Sequence, residues 1–395
     1  IMSLVETLEN QQIISSGLNK DSITVEAPKD DAFGDLSSNV AMVLSKQVRS
    51  NPRELAQYFV NHFSKDPSIK CVEVAGPGFL NFRLENKFWI EVVISILEEG
   101  VSFGIEQVGT GKSANVEFVS ANPTGPLHVG HTRGAVFGDV LANLLNLAGY
   151  TVTREYYVND AGSQIDALAR SAFFRYQEAL GCPTNSEQNE YPGDYLKEVG
   201  EALKAEYGDQ LLCEEEDSRL NKVKDFTVER MLALIRKDLA DLGIVMDSFV
   251  SEKALYAKGK VENAINQLRD LGLIYSGVLE RPKGGDEQEW SVREQELFKS
   301  SQFGDDTDRP IKKADGSWTY FAPDIAYHYE KLTCKYDEII NIFGADHSGY
   351  IARMKAVVRA FSNGEQDLTI RLCQLVKLYK DGKPVKMSKR AGSYI

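Results

Sequence analysis

Residues 114–158 constrain the fold of this chain more than any other stretch. ANVEFVSA (114–121) reads as a strand, and NPTGP then breaks it with two prolines and a glycine. A helix starts near His128 and ends at Gly149. Val136, Val140, Leu144 and Leu147 form its apolar face, joined by Leu141, Leu145 and Ala148. TVTREYYV (151–158) is a second strand. Strand, helix and strand of these lengths make a βαβ unit, so a parallel sheet covered by helices is the default.

The remaining chain arranges itself around that unit. Residues 1–108 read as a small α+β domain. AFGDLSSNVAMVLSKQV holds a helix lined by Val40, Val43, Leu44 and Val48, and NPRELAQYFVNHF opens another with Asn51 as cap and Pro52 in the first turn. CVEVAGPGFLNFRL is a strand, a Gly-Pro-Gly turn and a strand, and EQVGTGKSA is a linker. From 109 to 395 the pattern is α/β, with a mostly helical stretch at about 160–245. That stretch is too long for one crossover and reads as an insertion. Strands return at FVSEKAL, LIYSGVLE and EIINIFGA, with helices at KVENAINQLRDLG and YIARMKAVVRAF.

Composition narrows the class. At 395 residues, 43% hydrophobic and 26% charged, the chain matches a soluble protein of two or more domains. No apolar run is long enough to span a bilayer, and IMSLVETLENQQ lacks the basic start and apolar core of a secretory signal. Cys71, Cys182, Cys213, Cys334 and Cys373 are scattered without a C-x-x-C pair. This argues against a disulfide framework or zinc ribbon and suits a reducing cytoplasm. The net charge of −13 argues against a nucleic-acid partner. Against that, Lys377, Lys380, Lys383, Lys386 and Lys389 cluster with few acids. Such a segment meets a polyanion or is simply solvated surface.

His128 and His131 stand three apart in NPTGPLHVGH and so share a helix face. Three readings are open. A metal pair needs a third ligand, and neither a companion cysteine nor H-E-x-x-H supplies one. Two polar residues can also merely decorate a helix end. The favoured reading is phosphate handling, because helix N-termini at the carboxyl ends of sheet strands attract anions. Gly130 between them lets a base or ribose approach the backbone. A second constellation is Lys386-Met387-Ser388-Lys389-Arg390-Ala391-Gly392, preceded by KDGKP: flexible point charges suited to phosphates, or a solvated loop.

HVGH after a first strand and KMSKR near the end of the sheet together resemble the HIGH and KMSKS signatures of class I aminoacyl-tRNA synthetases. VEFVSANPTGPLHVGHTRGAVFGD, EYYVNDAGSQI, WTYFAPDIAYH and GADHSGY resemble arginyl-tRNA synthetases in particular. FGDLSSNVAM and GPGFLNFRL resemble that family's additional N-terminal domain, which touches the elbow of the tRNA. The resemblance implies a Rossmann-type catalytic domain and an ATP-dependent ligase joining L-arginine to tRNA(Arg). It implies catalytic roles on phosphate for His128, His131, Lys386 and Lys389, and an ATP site at Gly130, Gly344, His347, Met387 and Ser388. Arginine would meet Glu117, Ser120, Asn122 and Asp346, with Tyr320 and Asp324 closing over the guanidinium. Asp324 is read as polar cap and ligand together. Asn159, Asp160 and Gln164 would border the tRNA 3′ end. Mg²⁺ is expected with ATP, bound through phosphates and water, and no protein metal site is implied. A cytoplasmic monomer is expected. The family continues past KMSKR into a helical domain that holds the anticodon stem, and the chain stops at AGSYI, so that domain is expected to be missing here. A class I synthetase for another amino acid would keep both signatures. A small-molecule nucleotidyltransferase would not need the N-terminal domain, and a non-catalytic relative should have lost signature residues.

Overall fold

The computed structural model describes residues 1–184, 189–279, 294–374 and 376–385. Two compact units divide the chain, Ile1–Ile105 and Glu106–Ile395. In the first, α1 (Met2–Asn10), β1 (Val25–Glu26), β2 (Leu36–Ser38), α2 (Val40–Val48), α3 (Pro52–Phe63), β3 (Ile69–Ala75), β4 (Phe79–Leu84) and α4 (Asn86–Glu99) follow in order. The strands form an antiparallel sheet, β1-β2-β4-β3. Its core is Leu4, Val5 and Leu8 of α1, Val40 and Leu44 of α2, Phe59 of α3, and Leu80 and Phe82 of β4. At the start of α3, Asn51 Oδ1 accepts the Arg53 N–H at 2.9 Å and Pro52 fills the first turn, so this helix begins where its sequence says it should.

The second unit runs β5 (Ser113–Glu117), α5 (Val129–Leu147), β6 (Thr151–Val158), α6 (Ser163–Ala179), α7 (Tyr195–Tyr207), α8 (Glu216–Asp241), β7 (Ser248–Ser251), α9 (Glu252–Ala257) and α10 (Lys260–Asp270). It continues through β8 (Ile274–Gly277), β9 (Gln295–Phe298), β10 (Arg309–Pro310), α11 (Phe321–Thr333), β11 (Glu338–Gly344), α12 (Ile351–Phe361), β12 (Leu368–Cys373), β13 (Leu378–Lys380) and β14 (Lys383–Val385). Five strands in the order β12-β11-β5-β6-β7 pair in parallel, which makes the unit a doubly wound α/β domain. The strand order reverses between β5 and β11, and their carboxyl ends, at Glu117 and Gly344, border that switch point. α6, α7 and α8 pack around Leu168, Tyr176, Leu196, Val199 and Met231 as a helical insertion with its own core.

Four local expectations need correction. First, β5 stops at Glu117, well short of residue 121, because Val119 and Ser120 adopt left-handed backbone with φ of 67° and 40°. Second, the strand at FVSEKAL is Ser248–Ser251 and stops at the third residue of that stretch; Ser251 Oγ accepts the Ala254 N–H and starts α9. Third, the strand within LIYSGVLE, Ile274–Gly277, stays out of the parallel sheet and pairs with β9, which pairs with β10 on its other side, in a small antiparallel one. Fourth, α5 does not bury its larger apolar face. Val136, Val140, Leu144 and Leu147 are exposed, and Ala135, Gly138 and Ala142 are buried instead. The helix lies so close that a Cβ on Gly138 would collide with the Phe118 ring, so that position takes only glycine, while Leu141 and Leu145 pack against the same core from its flank.

Candidate active site

The left-handed turn after β5 builds the site. A β-branched residue at positive φ is costly, about 1–3 kcal/mol, and persists only where surroundings fix it. Here the turn brings Ser120 back over the strand end. Ser120 Oγ donates to Glu117 Oε1 at 3.0 Å and accepts the Tyr157 N–H at 3.0 Å. The loop that follows is held at three points. Tyr156 Oη donates to the Ala121 carbonyl at 2.7 Å, Tyr195 Oη to the Thr124 carbonyl at 2.7 Å, and the Leu127 N–H to Asp238 Oδ2 at 2.8 Å.

His128 then caps α5. Its Nδ1 accepts the Gly130 N–H at 3.1 Å, while its own N–H donates to Nδ1 of His131 at 3.2 Å. The rings stack with centroids 3.9 Å apart. Decorating the helix end and handling phosphate therefore cease to be rivals. With both Nδ1 atoms accepting, a neutral imidazole carries its proton on Nε2, so capping makes each ring an Nε2–H donor beside a helix N-terminus.

A cleft of about 950 Å³ opens over the switch point. Glu117, Ser120, Asn122, His128, Gly130, His131, Asn159, Gln164, Tyr320, Asp324, Gly344, Asp346 and His347 all line it, from positions spread across more than 200 residues. Asn122 Nδ2 donates to Gln164 Oε1 at 2.9 Å. Asp346 and His347 lie on a short 3₁₀ segment after β11, both exposed, with Asp346 Oδ2 and His347 Nε2 3.6 Å apart. Tyr320 is 73% exposed at the rim, with Lys313 Nζ 5.2 Å from its ring centroid. Asp160 departs from the sequence reading. Its carboxylate turns away to accept Ser251 Oγ at 2.6 Å and the Lys253 N–H at 2.8 Å, which fixes the start of α9. Lys386, Met387, Ser388 and Lys389 lie outside the described residues.

The floor of the cleft is acidic. Besides Glu117 and Asp324 it includes Glu252, which sequence reasoning missed because SEKAL looked like strand. Its position just past the carboxyl end of β7 was the available signal. Glu252 Oε2 accepts Tyr157 Oη at 2.8 Å. Burial raises the Glu252 pKa, with Asp160 adding to the effect and the Tyr157 hydrogen bond opposing it. Burial, then the fields of Glu252 and Glu117, push the Asp324 carboxyl up to about 8 against the pull of Arg353. Asp324 makes no side-chain cap bond at the start of α11, so it is not the helix cap expected of it. Burial also opposes the charge on Glu117, but Lys331 outweighs it and holds that pKa below the ordinary value.

Lys331, 2% exposed, reaches Glu117 Oε2 at 2.8 Å, Asn341 Oδ1 at 3.0 Å and Glu155 Oε1 at 3.5 Å. His328 bridges the Asp324 carbonyl (2.8 Å, through Nδ1) and the Asn341 side-chain amide (3.0 Å, through Nε2). Burial and Lys331 depress its pKa to about 4, so the ring is neutral near pH 7 and its Nδ1 proton goes to the carbonyl. Three carboxyl groups thus face a cleft whose buried lysine is already engaged, next to two imidazole donors. The chemistry this suits is a polycationic ligand held beside a phosphate.

Two family models match the sequence: the arginyl tRNA synthetase N terminal domain over residues 3–84, and the catalytic domain of class I (R) tRNA synthetases over residues 92–274. The arginine–tRNA ligase of Cereibacter sphaeroides is 56% identical over 382 residues, which cover 97% of this chain and 66% of the relative. That of Paracoccus denitrificans is 53% identical over 395 residues, 100% of this chain and 68% of the relative. The chain spans about two thirds of the length of these curated relatives. Among solved structures, the Thermus thermophilus arginyl-tRNA synthetase superposes with a TM-score of 0.66 at 18% identity, covering 94% of this chain and 64% of that one. The Plasmodium falciparum enzyme gives 0.62 at 15%, with the same coverages. At these identities the likeness is one of fold. Among the described residues, no helix is long and apolar enough to cross a membrane.

Proposed function

The chain belongs to the arginyl-tRNA synthetase family, and from that premise we propose that it carries the catalytic region of an enzyme that activates L-arginine with ATP and transfers it to tRNA(Arg). In the first step an oxygen of the arginine carboxylate attacks the α-phosphorus of ATP. The bond from that phosphorus to the bridging oxygen breaks, leaving arginyl-adenylate and pyrophosphate. In the second, a hydroxyl of the 3′-terminal ribose attacks the acyl carbon and AMP departs.

The observation that carries this reading is the acidic floor. Arginine brings an ammonium and a guanidinium, and the cleft offers Glu117, Glu252 and Asp324. Asp324 and Glu252 take the guanidinium, a planar fork that pairs best with carboxylates, and Tyr320 swings in from the rim to cover it. Glu117, with Ser120 and Asn122, takes the ammonium end, and Asp346 adds a further contact. His128 and His131 donate from Nε2 to phosphate oxygens as charge builds on them, and the N-terminus of α5 reinforces that field. Lys386 and Lys389 follow the departing pyrophosphate, with Met387 and Ser388 beside ATP. Gly130, Gly344 and His347 border the adenosine. Mg²⁺ enters with the triphosphate. Asn159 and Gln164 face the 3′ end of the tRNA, whose elbow meets the N-terminal domain (1–108). The enzyme works as a cytoplasmic monomer.

The test is pyrophosphate exchange into ATP on the complete gene product, with each amino acid in turn, with and without tRNA. Arginine alone should drive exchange. Exchange driven by lysine or glutamate in its place overturns the assignment.

A further inference from the structure

Among the groups not yet given a task, the buried cation behind the cleft is the most demanding to explain. An uncompensated ammonium inside a protein costs several kcal/mol, so Lys331 is tolerable only because its neighbours are arranged for it. Its ammonium donates to Glu117 of β5 and Asn341 of β11 and forms a longer ion pair, at 3.5 Å, with Glu155 of β6, so three strands surround it. Glu155 has a separate donor, Tyr327 Oη at 2.6 Å, and does not depend on Lys331 alone. Glu117 relies on it for charge: its other side-chain partners, the Ser120 hydroxyl at 3.0 Å and the Tyr327 hydroxyl, are neutral. Lys331 is fixed from behind in turn, because Asn341 is held by His328 and His328 by the backbone of Asp324.

We propose that Lys331 is a positioning residue for the substrate: held behind Glu117, it keeps that carboxylate ionised and turned to the cleft, where it receives the α-ammonium of the amino acid. The inference rests on the arginine-binding reading above. A carboxylate has about four acceptor directions. Lys331, Ser120 and Tyr327 use up to three of those on Glu117 and leave acceptor capacity for a cation arriving from the cleft. Without Lys331, Glu117 would share its surroundings with Glu155 of β6, Glu252 of α9 and Asp324 of α11. Tyr157, Tyr327 and the neutral His328 also crowd it, and Arg353 of α12 acts on Asp324. In that company burial, no longer opposed by Lys331, would push its carboxyl up and weaken its attraction for an ammonium.

The test compares two ligands by isothermal titration at pH 7.5. One is L-arginine; the other is 5-guanidinopentanoate, the same molecule without its amino group. The wild type should prefer arginine by about 30-fold, the worth of a hydrogen-bonded ion pair. Lys331→Met should cut that preference to about threefold or less while changing affinity for the deaminated ligand by no more than about threefold. The double variant E117Q/K331M should show the same preference as Glu117→Gln alone. A merely structural lysine would weaken both ligands together. An unchanged preference in Lys331→Met, or an equal loss of both ligands, overturns the proposal. If the single variant does not fold, the double one, which loses both charges, decides. Matching Glu117→Gln supports the proposal, whereas a further tenfold loss of preference, or failure to fold, overturns it. A wild type that binds neither ligand sinks the arginine reading itself.

Discussion

Asp324 is held near 8 by burial and by the carboxylates of Glu252 and Glu117. Below that pH its side chain is mostly protonated and makes a poor partner for a guanidinium. An arriving cation favours the ionised form, so binding must release a proton. Affinity for arginine should therefore rise as pH climbs from 6 towards 8, by up to about tenfold per unit. Asp324→Asn should flatten this rise and weaken binding throughout. Titration calorimetry in buffers of different ionisation enthalpy counts the released proton, and none at pH 7 would refute the assignment. Stability runs the opposite way. A carboxyl whose folded pKa lies above its unfolded value near 4 binds an extra proton in the native state between the two. Its contribution is present below about pH 4 and is lost as pH rises through 8. The wild type should lose more melting temperature than Asp324→Asn across that window.

Among the elements, the loop from Ala121 to Leu127 has the least internal structure and the most to position. Two of its three ties come from the helical insertion, Tyr195 of α7 and Asp238 of α8. Misplacing reacting groups by an ångström costs rate more than binding. Asp238→Ala should thus lower the maximal exchange rate about tenfold, with the arginine KM changed less than about twofold. Asp238→Asn, which still offers an oxygen to the Leu127 N–H, should keep most of the rate. Equal losses in both variants would show that this bond is not the anchor. The sequence made the β5–α5–β6 unit legible through its periodicity, and the histidine pair through the turn residues beside it. It could not show that Val119 and Ser120 turn left-handed, because no glycine marks them and distant partners hold them there. It gave only part of the contact face of α5: Leu141 and Leu145 do pack on the core, but Val136, Val140, Leu144 and Leu147 are exposed, and close packing on Phe118 demanded Gly138. Lys331 looked like any helix lysine, since its burial is decided by three strands far away in sequence. Glu252 was hidden by a strand reading one turn too long.

At the scale of the whole chain, the N-terminal unit carries its own sheet and its own apolar core, drawn from α1, α2, α3, β3 and β4. α4 adds no buried residue to it. Trp89, Ile90, Val93, Ile94 and Leu97 are instead exposed along that helix, 77% in the case of Leu97. Two consequences follow for isolated fragments. Residues 1–85 exceed the length at which a single core sustains a domain unaided, roughly 60 residues, so this fragment should fold alone and melt cooperatively. Residues 1–105 should have nearly the same stability, within about 1 kcal/mol, because α4 contributes no core. They should differ in association, since a contiguous apolar patch on a small domain seeks a partner. Circular dichroism melts and size-exclusion chromatography across a concentration series separate the two effects. The shorter fragment should elute as a monomer at every concentration and the longer one should shift to larger species as concentration rises. A non-cooperative melt of residues 1–85 would mean that α4 is integral to the fold despite its exposure. The N-terminal unit would then have to be treated as the whole of residues 1–105, and α4's apolar face as part of its architecture.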